Sequence, residues 1–154
     1  MLRLNRLTDY AVVVLAQMTQ RPEQTVTAPQ LSQESAVPLP TVSKLLNLLA
    51  REGLIKSQRG ASGGYALGRP AEEITVAEIV QAIEGPIALA ACVEGTTDHC
   101  EVEQLCPMRG NWNKVNTAIR GALETLTLAD MAVTPPTFAA IASAKDAPRP
   151  AKTE

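Results

Sequence analysis

Apolar residues recur at helical spacing in several stretches of this chain, and short strand-like runs interrupt them. Leu7, Ala11, Val14, Leu15 and Met18 lie three or four apart, so residues from about Asn5 to Gln20 read as an amphipathic helix. Asn5 or Thr8 supplies a cap, and Arg21-Pro22 ends the run, because proline cannot continue a helical ladder. Thr25-Val26 reads as a two-residue strand. Thr27 and Gln30 have the spacing of a capping box and open a short helix reaching about Ser35. After the tight turn Ala36-Val37-Pro38-Leu39, a further helix starts near Pro40, runs to Glu52 and stops at Gly53. Val42, Leu45, Leu46 and Leu49 form its inward stripe, which leaves Thr41, Ser43, Lys44, Asn47 and Arg51 outside.

Leu54 to Arg59 and Tyr65 to Leu67 read as two strands around the turn Gly60-Ala-Ser-Gly-Gly64. Thr75 and Glu78 form a second capping box ahead of Val76, Ile79, Val80 and Ile83, and Gly85-Pro86 closes that helix. Beyond Pro107 a long apolar stripe follows, made of Met108, Trp112, Val115, Ile119, Ala122, Leu123 and Leu126. Thr127-Leu-Ala-Asp130 reads as a last capped turn, and the Ala-, Pro- and Lys-rich stretch from about Val133 as a disordered tail.

The order of these elements predicts a mainly α fold. It comprises a winged helix-turn-helix domain over 1–85, a cysteine-bearing loop over 86–107, a dimerisation helix over 108–132 and a tail over 133–154. Two short helices alone could be a plain helical hairpin with a solvated face. The β-hairpin directly after them is what turns the pattern into a winged helix. Thr41, Ser43, Lys44 and Asn47 then become candidates for base edges and phosphates of double-stranded DNA, with Arg59 and Ser62 at the wing tip. The glycine-rich tip lacks the Gly-Lys-Ser/Thr of a phosphate loop and its strand-to-helix setting. The long helix carries the only tryptophan and lies outside the winged core, so its stripe is expected to meet a second copy of the chain in a homodimer.

Composition agrees with a folded α-rich chain: 45% of the 154 residues are hydrophobic, 19% charged and only 3% aromatic. No apolar run approaches the ~20 residues that span a bilayer. The first residues have no hydrophobic signal core, so a cytoplasmic protein is expected. The net charge of −2 divides unevenly, with residues 1–70 at +4 and residues 71–154 at −6. A basic half suits a polyanionic partner.

All three cysteines and the only histidine fall within Cys92 to Cys106, with seven residues between the first two thiols and five between the last two. Glu94, Gly95, Thr96, Thr97 and Asp98 give this stretch loop character. An odd set of clustered thiols in a reducing compartment points to a soft metal centre more than to disulfides. Cys92, Cys100 and Cys106 with His99 would also make a zinc set, although the spacings exceed those of ordinary zinc sites. A metal-free thiol redox sensor is a third reading. Nothing supports an enzyme: the single histidine has no paired nucleophile, and no carboxylate pair marks a cleft.

Taken together, these residues resemble the Rrf-two family of bacterial transcription regulators. The resemblance runs over about residues 1–132. It rests on the opening Leu-Thr-Asp9-Tyr-Ala, the helix pair from Thr27 to Gly53 and the Arg59-Gly-Ala-Ser-Gly-Gly-Tyr65 wing. It rests also on Val76-x-x-Ile79-x-x-Ala-Ile-Glu84-Gly85 and on three cysteines ahead of a long helix. The opening Met-Leu-Arg-Leu is most similar to the branch that regulates Suf-type cluster assembly. The resemblance implies winged-helix dimers that carry an iron–sulfur cluster on Cys92, Cys100 and Cys106, 2Fe–2S ahead of 4Fe–4S. A fourth ligand is then needed. Some relatives use a histidine three residues after the third cysteine, where this chain has Arg109. Others use a carboxylate from the partner subunit at the place of Asp9; His99, Glu94, water or a small thiol are the alternatives. The implied activity is that of a repressor of iron–sulfur assembly genes, with a nitric-oxide or iron-responsive repressor as the nearest relative function.

Overall fold

The computed structural model describes residues 3–95, 100–102, 105–108 and 110–132. Asn5 caps α1 (Arg6–Thr19) by accepting the Leu7 N–H, and Ala11, Val14, Leu15 and Met18 are its buried face. Thr8, the other candidate cap, lies within the first turn of the helix and is fully buried. Both capping boxes take the expected form: Thr27 and Gln30 open α2 (Ala28–Ser35), and Thr75 and Glu78 open α4 (Val76–Glu84). Helix α3 (Leu39–Arg51) begins one residue earlier than Pro40, with Pro38 as its cap and the apolar stripe buried as patterned. Gly53 follows it at φ 75°, a conformation that suits glycine.

Strands β1 (Ile55–Gln58) and β2 (Gly64–Leu67) pair antiparallel with Ile55 opposite Leu67 and Gln58 opposite Gly64. Val26 forms a bridge to Tyr65 through reciprocal hydrogen bonds of 2.8 Å, so the predicted short strand extends the hairpin by one residue. A 3₁₀ turn (Ala71–Glu73) leads into α4. In α4 the patterned Ile83 is only half-buried, whereas Ala77 and Ala82 are buried. Helix α5 (Asn111–Glu124) follows the cysteine segment. No helix among the described residues is long and apolar enough to cross a membrane.

The last turn forms α6 (Leu128–Met131), capped by Thr127 and Asp130, and it returns to the winged core. Leu128 is completely buried within the cluster formed by α1 to α4 and the hairpin. The backbone around it is stitched across the entrance to α4: the Val76 N–H donates to Leu126 C=O at 2.8 Å, and the Leu128 N–H donates to Ile74 C=O at 2.7 Å. The expected capped turn is therefore present, and it also serves as a core element. That role depends on partners more than 50 residues away and has no local signature. The expected tail from about Val133 lies outside the described residues.

Two predictions follow from these contacts. Leu128→Ala should destabilise the fold by about 2–5 kcal/mol, the range for emptying a buried leucine site, and should lower the melting temperature measured by circular dichroism. The second concerns Glu78. Partial burial pushes its carboxyl up, but the Thr75 N–H, the Arg69 guanidinium and the Thr75 hydroxyl together hold it below the ordinary 4.5. A carboxyl lowered by folding stabilises the native state above its unfolded value, and the gain fades as pH falls through the folded value. Glu78→Gln keeps the capping geometry without the titration. Its melting temperature should therefore fall less steeply than wild type between about pH 6 and about pH 3.

Candidate nucleic-acid interface and cysteine site

Helix α3 follows α2 through a turn in which Ala36 takes a left-handed φ of 58° without glycine. Serine hydroxyls stabilise this turn. Ser32 donates to Val37 C=O at 2.7 Å, and the Val37 N–H donates to Ser35 Oγ at 3.2 Å. The buried stripe of α3 then fixes which side chains look outward. Lys44, Asn47 and Arg51 are exposed, while Thr41 and Ser43 are half-buried at the margin of the helix. All of them carry hydrogen-bond donors, the kind that reach base edges and phosphates.

Arg59 and Ser62 are exposed in the connection between β1 and β2. The Gly63 N–H donates to Gly60 C=O at 2.9 Å, and a Cβ on Gly63 would lie 2.6 Å from the Gln58 carbonyl oxygen. The close approach of backbone to backbone therefore requires glycine at this position. The Thr25 hydroxyl donates to Ser62 C=O at 3.2 Å, which ties the tip to the segment before α2. Wing and helix pair consequently belong to one packed body, with exposed Lys44, Arg51, Lys56 and Arg59 on consecutive elements.

Cys92, Cys100 and Cys106 are all half-buried and free. Their donor chemistry, three soft thiols that need only lose protons, fits a thiolate-bound iron or zinc centre. Among the described residues, no three His, Cys, Asp or Glu side chains are gathered into a cage. Asp9 is exposed in the first turn of α1, at a hollow floored by Val76 and Val80 of α4. Glu94 is exposed, and its N–H donates to Asn113 Oδ1 at 3.1 Å. His99 and Arg109 lie outside the described residues.

Three residues that sequence reasoning passed over organise this region. On α5, Asn116 is buried at 7% exposure; its Oδ1 accepts the Leu89 N–H at 3.1 Å and its Nδ2 donates to Ile87 C=O at 2.8 Å. One turn earlier, Asn113 holds Glu94. The segment entering the cysteine loop is thus pinned along α5. The signal that could have found Asn116 is its place on the apolar stripe, four residues after Trp112 and three before Ile119. A polar residue in such a stripe normally has a specific partner. The third residue is Glu84, the last of α4: its Oε1 accepts the Asn5 N–H at 2.9 Å and the buried Thr8 hydroxyl. The helix from which the cysteine segment departs is thereby fastened to the start of α1.

Comparison with known proteins agrees with this architecture. Residues 4–134 match the Rrf2 family, described as "Iron-dependent Transcriptional regulator". Protein aau3 of Rhizobium meliloti (strain 1021) is 31% identical over 130 residues, covering 84% of each chain. Among solved structures, CymR, the global cysteine regulator of B. subtilis, superposes with a TM-score of 0.65 at 27% identity, covering 86% of this chain and 97% of that one. T. potens IscR gives 0.61 at 28% identity, covering 84% and 85%. The family match spans the helix pair, the hairpin, the cysteine segment and both final helices, and on that extent the chain belongs to the Rrf2 family of transcriptional regulators.

Proposed function

We propose that this regulator is a homodimeric repressor of iron–sulfur cluster assembly genes of the Suf type, whose grip on operator DNA depends on a bound iron–sulfur cluster. The observation that carries the reading is the set of three free, half-buried thiols on a segment whose start is pinned to α5, in a chain matching a family described as iron-dependent. Cys92, Cys100 and Cys106 hold the cluster, 2Fe–2S ahead of 4Fe–4S. Asp9 of the partner subunit is the favoured fourth ligand and His99 the alternative. When bound, the cluster supplies a cross-link that oxidants, nitric oxide or iron shortage can remove.

The protein's own residues do the rest. Trp112 and Val115 of α5 are 44% and 45% exposed, and with Met108 and Leu126 they leave an apolar face uncovered within one chain. A second copy covers it around a two-fold axis. Such a dimer presents two α3 helices to half-sites about one turn of DNA apart. Thr41, Ser43, Lys44 and Asn47 contact base edges and phosphates, and Arg59 and Ser62 of the wing hold the flanking backbone or minor groove. Glu84 joins α4 to the first turn of α1, so a change in the cysteine segment is passed into the packed DNA-binding body. As a transcriptional regulator, the chain is not an enzyme.

The deciding experiment quantifies iron, sulfide and zinc in protein kept free of oxygen, with an ultraviolet–visible spectrum and operator footprinting. Iron with sulfide, and tighter footprints for the loaded form, are expected. Zinc without either would replace this reading with a constitutive dimer built on a structural zinc site. A metal-free protein whose operator affinity follows thiol oxidation would replace it with a thiol sensor.

Two variants sharpen the test. Arg59→Ala should weaken operator binding and reduce the slope of log affinity against log salt by about one; an unchanged slope would remove the wing from the interface. Cys106→Ala should lose iron and bring operator affinity to that of cluster-free wild type, with helical circular dichroism preserved.

A further inference from the structure

The backbone on both sides of Cys92 is held by side chains of α5. The segment before it is bound to α5 through Asn116, which satisfies both the Leu89 N–H and the Ile87 carbonyl. The segment after it is bound through Asn113, which accepts the Glu94 N–H. Val93, next to the thiol, is 4% exposed, and its N–H donates to Ala90 C=O at 3.1 Å, closing a turn around Ala91 and Cys92. Cys92 therefore sits inside a bracket of three side-chain hydrogen bonds and one apolar plug. By contrast, Leu105 before Cys106 is 92% exposed, and the Leu105 N–H reaches only as far as Val102 C=O.

We propose that Asn113 and Asn116 are positioning residues that fix Cys92 on α5 before any metal enters, making it the preset anchor of the three thiols. The physical basis is the one-turn spacing of the two asparagines. Residues three apart lie on the same face of a helix, so their amides can grip a chain running alongside it. Burial makes the Asn116 grip exacting. Its amide offers both a donor and an acceptor, and both are used in a site where leaving either group unpaired is unfavourable. The naming of a metal as the object of this positioning rests on the cluster-sensing reading; the positioning itself does not.

The two claims can be separated by experiment. Metal-free protein is treated with iodoacetamide, and the alkylation of each cysteine is followed by mass spectrometry, alongside hydrogen exchange at Leu89 and Glu94. In wild type, Cys92 should react more slowly than Cys106, and both amides should be protected. In Asn113→Ala/Asn116→Ala, exchange at Leu89 and Glu94 should accelerate about tenfold or more, the factor equivalent to one hydrogen bond of stability. Cys92 should be alkylated several-fold faster while Cys106 is unchanged, and iron taken up with sulfide should be lost faster to a chelator. Asn116→Asp keeps the acceptor for Leu89 but loses the donor to Ile87, so it should fall between the two. This milder change serves if the double variant does not fold. Equal alkylation of Cys92 in wild type and the folded variant overturns the proposal, as does unchanged iron loss despite faster exchange. A wild type that takes up neither iron nor sulfide sinks the cluster reading instead, while the alkylation arm still decides whether the asparagines set Cys92.

Discussion

The buried amide of Asn116 is the constraint on which the part of the molecule beyond α4 depends. A loop rich in Glu, Gly and Thr has little apolar surface to bury, so hydrophobic packing alone cannot place it. Asn116 instead places the run that leads into it, accepting the Leu89 N–H and donating to Ile87 C=O from a buried position. Helix α5 consequently has two duties. Its polar line of Asn113 and Asn116 holds the start of the cysteine segment, and its apolar line around Trp112 and Val115 remains exposed within one chain.

The DNA-binding half depends on ordinary burial, but its boundary is unexpected. Leu128, from the far end of the described chain, completes the core beneath α1 and α4, and backbone hydrogen bonds lash residues 126–128 to residues 74–76. The chain thus leaves the winged body at Gly85 and re-enters it at Leu126, with the cysteine segment and α5 as the excursion. Both ends of that excursion are fixed: Glu84 grips Asn5 and Thr8 at the exit, and Leu128 is sunk at the return. Both attachments touch α1 or α4, the helices that pack against the recognition pair.

Local chemistry was legible from the residues alone. The three capping boxes, the stripe of α3, the prolines at its start, and the glycines at the wing all act within a few positions, where spacing alone determines contact. The same held in part for the candidate DNA residues of α3: once Val42, Leu45, Leu46 and Leu49 face inward, helical geometry leaves Lys44 and Asn47 outside, whereas Thr41 and Ser43 are half-buried at the margin. Thr8 shows the limit. It reads as a cap, yet Asn5 takes that place, while Thr8 is buried and its hydroxyl donates to Glu84, 76 residues away.

By itself, then, the sequence determined the helices, the hairpin and the grouping of three thiols, because periodicity, caps and turns are short-range and each residue type states its own preference. Only the tertiary structure decided that Leu128 belongs to the winged core, that Glu84 joins α4 to α1, and that Asn113 and Asn116 bracket Cys92. Those contacts pair polar or apolar groups whose separation along the chain carries no periodic signal. Their worth comes from burial and from mutual hydrogen-bond satisfaction, which exist only once distant segments have met.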